Sequence, residues 1–163
     1  MNLKLIMKVM KQVKLDKVKK ILSLIFLILW CFLIFYFSNQ SGSVSNHSSG
    51  LIVKMVRIII PTGNIELLTF IIRKLAHMFL YFMLTILTYN CFKQFNFKKK
   101  YLIILFCFLY AISDEIHQLF IVNRSCELRD VLIDMMGVLV GYFLIKIKES
   151  KTIFKRCKKV TRI

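Results

Sequence analysis

The sequence predicts an all-α membrane protein, a four-transmembrane-helix bundle with an amphipathic interfacial helix in the first outer loop. Three observations lead there. Of its 163 residues 58% are hydrophobic, above the roughly 45–50% of an ordinary soluble domain. Four stretches, about 21–38, 71–92, 101–122 and 130–147, are long enough for a hydrocarbon core that a helix crosses in about 20 residues. Finally, the 25 Lys and Arg outnumber the 8 Asp and Glu, yet they fall in blocks between those stretches. Because they do not form a folded basic face with interleaved aromatics, the charge points to topology and anionic lipid, not to nucleic acid.

Residues 1–20 form a basic amphipathic segment. Lys4, Lys8 and Lys11 recur three and four apart, with Leu3, Ile6, Val9, Met10 and Val13 on the other side, the pattern of a helix on the inner leaflet. The apolar run that follows exceeds the 7–15 residues of a signal peptide and no A-x-A-like site ends it, so it reads as a retained anchor. "SNQSGSVSNHSSG" (38–50) has the composition of a flexible linker. In "LIVKMVRIII" (51–60) Lys54 and Arg57 share one helical face. That segment is too short and too charged to span, and suits the outer interface.

"PTGN" (61–64) breaks the pattern, Asn64 is placed to cap the next helix, and Glu66 suits its first turn. The second spanning helix then runs to about Phe92. In the last span Gly137 and Gly141 form a GxxxG pair that permits close approach of a neighbouring helix and offers a face for a homo-oligomer. The transmembrane domain covers 21–147 and a basic tail occupies 148–163. By the positive-inside rule the lysine-rich segments before Ile21, around Lys93–Lys100 and after Leu144 are cytoplasmic. A multi-pass protein of the cell membrane with both termini inside follows, with loops 39–70 and 123–129 outside. The five cysteines are dispersed, so no disulfide framework is expected.

The polar residues inside the spans coincide in depth. At about 1.5 Å per residue, Asp114 lies about 20 Å above Tyr101, His77 about 22 Å above Phe92, Asp134 about 20 Å above Ile147 and Ser38 about 25 Å above Ile21. In a core about 30 Å thick all four levels fall in one outer third. A charge at mid-bilayer costs about 2.5–3.5 kcal/mol on insertion scales, so such groups face the bundle interior or a water-filled cavity and find partners. The expected object is an outward-open polar pocket built from Ser38, Gln40, Arg73, Lys74, His77, Asp114, Glu115, Gln118, Arg124, Asp130 and Asp134.

"FSNQSGS" (37–43), "RKLAH" (73–77) with Tyr81, "SDEIHQLFIVNR" (113–124) and "DVLIDMMGVLVG" (130–141) together resemble the VanZ-like family, named for a membrane protein associated with low-level resistance to the glycopeptide teicoplanin. The likeness spans about 37–141. It implies a small polytopic protein of the cell envelope that lowers glycopeptide susceptibility, and it supplies no reaction.

The residues themselves leave several functions open. The bland reading is a buried network that fixes helix register, although interhelical hydrogen bonds in membranes average only about 0.6 kcal/mol each. The favoured reading is a site for an envelope ligand, a lipid-linked wall precursor, an anionic headgroup or a glycopeptide, with Arg73, Lys74 and Arg124 holding phosphate or carboxylate. An enzyme acting on a lipid-linked substrate would use Glu115 or Asp114 as general acid or base and His77 or His117 as the other proton carrier, with Ser113 or Ser38 as a conceivable nucleophile. No G-x-S-x-G or H-E-x-x-H motif supports that. No cofactor is implied, and His77, His117 and Asp114 lack a recognisable metal-ligand spacing. Proton-coupled transport would need more than four spans or a dimer.

Overall fold

The computed structural model describes residues 3–40, 64–121 and 128–160, of which all but the turns and caps are helical. Helix α1 runs Leu3–Ser38, α2 Ile65–Gln94, α3 Tyr101–Gln118 and α4 Leu128–Val160. The predicted interfacial helix at 51–60 lies outside the described residues. Three helices, α1 to α3, are long and apolar enough to cross a membrane. The fourth carries Asp130, Asp134, Lys146 and Lys148 across its apolar stretch and falls short of that description, so the structure supports three candidate spans where the sequence predicts four.

Two helices extend beyond the predicted spans. The basic segment before Ile21 is the first half of α1, without a break, and most of the tail prolongs α4. Lysine is a good helix former and neither stretch holds Gly or Pro, so nothing local stops them. At the α2 start Asn64 is the N-cap as expected, its side chain accepting from the Leu67 amide at 3.1 Å. The helix ends at Gln94, where Asn96 adopts φ 60°; asparagine tolerates this left-handed region better than most residues. α3 stops at Gln118, short of the predicted 122, and turns through Leu119 to Ile121.

Successive helices run antiparallel. Ser38, Asn64, Gln118 and Leu128 gather at one end, the polar end; Gln94, Tyr101 and the second half of α4 mark the other, the lysine end. α2 is the hub, packing on all three others and most extensively on α4, while α1 and α4 barely touch. Tyr81 and Leu84 of α2, Cys107 and Ala111 of α3, Ile34 of α1 and Val138 of α4 form the core. Around it Phe26, Phe32, Phe79 and Phe143 remain exposed. Such an apolar belt would be a liability in water and is the expected surface in lipid.

Close approach of α2 and α4 depends on the glycine pair. A Cβ on Gly137 would lie 2.1 Å from the Met78 carbonyl oxygen, and one on Gly141 3.1 Å from those of Phe82 and the Thr85 Cβ. The GxxxG face is therefore packed against α2 of the same chain. Two donors fasten α1 to the hub and to α3: Trp30 Nε1 donates to the Leu80 carbonyl at 2.9 Å and the Tyr110 hydroxyl to the Cys31 carbonyl at 2.6 Å. Each gives a polar tip a partner that lipid cannot supply.

Candidate functional site

Polar groups of α2, α3 and α4 come together. On α2, Lys74 pairs with Asp130 of α4, and one turn deeper His77 Nδ1 stands 3.6 Å from Asp134 Oδ1. The matching four-residue steps on both helices follow from their antiparallel packing through Gly137, since residues four apart lie above one another on a helix. On α3, Gln118 Nε2 donates to Asp114 Oδ2 at 3.3 Å, and Glu115 is buried beside them. Tyr81 closes the layer from below. Its hydroxyl has no hydrogen-bond partner among the described residues and lies within electrostatic reach of Asp114, Asp134 and Glu115.

Access differs from the expectation of an open pocket. Asp134, Glu115, Gln118, Asp114 and Ser38 expose 5% or less of their surface, so the described part of the layer is closed. Asp134 is the extreme case, fully buried with neither oxygen hydrogen-bonded among the described residues. A 3.6 Å separation is an ion-pair distance and too long for a hydrogen bond. An uncompensated carboxylate there would be costly, which makes the partnership with His77 part of the structure.

Arg73, Gln40 and His77 are half-buried and form the accessible edge. Arg73 stands 11 residues before the core residue Leu84, about three helical turns, and so lies on the inward stripe of α2. Unlike Lys74 it makes no ion pair or hydrogen bond among the described residues. Arg124 lies outside the described residues. Ser38 closes α1 with its hydroxyl buried and unpartnered among the described residues.

Some candidates separate. His117 turns away from His77 towards α1, where its ring stacks on Phe35 with centroids 4.6 Å apart; the two histidines do not converge. Ser113 is exposed on α3, whereas Asp114 and Glu115 next to it in sequence are buried.

A second polar group was not foreseen. At the lysine end Glu149 of α4 accepts from Lys100 and, at 3.0 Å, from the Tyr89 hydroxyl. Lys100, ahead of Tyr89 and Lys93 as a cause, holds the Glu149 carboxyl below the usual carboxylate range. The only hint in the sequence is a lone acid within a basic tail.

A family model described as VanZ/LLP1 matches residues 23–149 of the chain, which takes in all four elements of the polar layer. No curated protein and no solved structure matches it.

Proposed function

Because the chain belongs to the VanZ/LLP1 family, membrane proteins linked to glycopeptide resistance, we propose that its polar layer faces the outside of the cell and binds an envelope ligand, lowering susceptibility to glycopeptides such as teicoplanin. In this reading α4 is the fourth span, both termini are cytoplasmic, and the ligand is a lipid-linked wall precursor, an anionic headgroup or the glycopeptide itself. The observation that carries the proposal is Arg73: a half-buried guanidinium, on the inward stripe of the hub helix, with no counter-charge among the described residues. A guanidinium in that position takes phosphate or carboxylate through two parallel hydrogen bonds. Lys74, engaged by Asp130, fixes the edge on which the ligand rests.

The test is the teicoplanin susceptibility of cells carrying the protein or its Arg73→Ala variant at matched membrane levels. Wild type is expected to protect and the variant to fail. Equal protection by both would remove Arg73, and the anion site with it, from the working part of the molecule.

A second reading, a membrane-embedded hydrolase or transferase, draws on the His77, Asp134 and Tyr81 cluster, whose groups are of the kind that move protons. Mass analysis of lipid-linked precursors with and without the protein separates the two readings: a new covalent product means catalysis.

A further inference from the structure

A groove of about 430 Å³ runs between α1 and α3 from Leu24 to Phe35, floored by Leu27 and Cys31 and walled by Phe106 and Tyr110. It follows the α1–α3 seam, where the two helices pack only slightly. From Leu24 to Phe35 it extends about 16 Å at 1.5 Å per residue, half of a hydrocarbon core about 30 Å thick. Its length therefore matches a lipid acyl chain that runs from the polar layer past the middle of the core.

The groove does not end blindly. Phe35, at its upper end, stacks on His117, whose Nε2 is buried with no hydrogen-bond partner among the described residues. Leu27, Cys31, Ile34 and Ser38 fall on one stripe of α1, so the floor of the groove leads to the Ser38 hydroxyl, 2% exposed and likewise unpartnered among the described residues. Buried polar atoms normally have partners. Here two of them stand at the end of an apolar groove, an arrangement that suits a molecule with an anionic head and a hydrocarbon chain.

We infer that this groove seats the hydrocarbon chain of a lipid-anchored ligand whose head reaches Ser38, His117 and Arg73. The inference rests on the proposed anion site and narrows its ligand to a lipid. The seat for the chain runs down from the polar layer through the middle of the core to Leu24, and the two orphaned polar atoms take hydrogen bonds from or to the head.

The experiment uses the full chain in phosphatidylcholine vesicles containing traces of a phosphatidic acid with a diazirine on its acyl chain, or the matching diacylglycerol without phosphate. After irradiation the labelled peptides are mapped. The phosphatidic acid is expected to label the Leu24–Phe35 and Phe106–Tyr110 peptides several-fold more than the outer face of α4 around Phe143, and the diacylglycerol to label both evenly. Ile28→Trp, at a groove position already 45% exposed and so harmless to the core, should abolish the enrichment. Even labelling of both faces by both probes would identify ordinary surrounding lipid and overturn the inference, whatever Arg73→Ala does to susceptibility. Enrichment that Ile28→Trp removes and Arg73→Ala leaves unchanged would keep the chain seat and refute the anion site.

Discussion

Gly137→Ala puts the packing of the polar layer to a quantitative test. In an isolated helix alanine gains about 1 kcal/mol over glycine, so propensity alone predicts a more stable protein. The structure predicts the reverse. The new Cβ would lie 2.1 Å from a backbone oxygen of α2, where separations under 3.0 Å essentially never occur. The helices must part by at least about 0.9 Å. A rigid backbone carbonyl cannot rotate away, and overpacking of this kind costs about 1–3 kcal/mol, leaving a net loss of up to about 2 kcal/mol. The same retreat would stretch His77 to Asp134 from 3.6 Å beyond ion-pair range and expose the carboxylate. Gly141→Ala is the control: its tightest contacts are 3.1 Å, one of them a side-chain atom, so gain and loss nearly offset. Thermal unfolding in detergent, followed by the fluorescence of Trp30, the single tryptophan, reads both. A Gly137→Ala protein more stable than wild type, or a Gly141→Ala protein that is the less stable of the two, would refute the packing derived above.

Two further outcomes are expected. Glu115→Gln and His77→Gln keep size and much of the hydrogen bonding but remove proton transfer; in the susceptibility assay both should still protect, and loss of protection in both at normal expression would favour the catalytic reading. At the lysine end, the Glu149 carboxyl has its pKa lowered in the fold, so its contribution is present above the pKa of an unfolded glutamate and fades as the pH falls through the lower folded value. Being partly exposed, it contributes about 0.2–1 kcal/mol. Melting curves between neutral and acid pH should show a smaller acid loss for Glu149→Gln, and parallel curves would mean that the contact with Lys100 adds nothing.

The polar layer was legible because depth in a membrane is a one-dimensional coordinate: counting residues from Tyr101, Phe92 and Ile147 puts Asp114, His77 and Asp134 at one level before any packing is known. Rotation about each helix axis is harder to read. A stripe of residues four apart shows that His77 shares a face with Arg73, and cannot tell that His117 faces Phe35 of α1 instead of the carboxylates. The glycine pair was recognised as a contact face, but only the fold reveals that α2 of the same chain fills it. The Glu149 group stayed hidden because Lys100, Tyr89 and Glu149 come from three different helices and converge through long side chains that no spacing rule connects.

The uninterrupted lengths of α1 and α4 have a mechanical result. A hydrocarbon core about 30 Å thick takes about 20 helical residues, and these rods have 36 and 33. Each is therefore longer by several turns than one crossing needs, and carries Ser38 or Asp134 on the arm away from its lysine-rich half. Neither helix is broken along this length, so a tilt of the lysine-rich arm of α1 or α4 would carry Ser38 or Asp134 with it against the packing on α2.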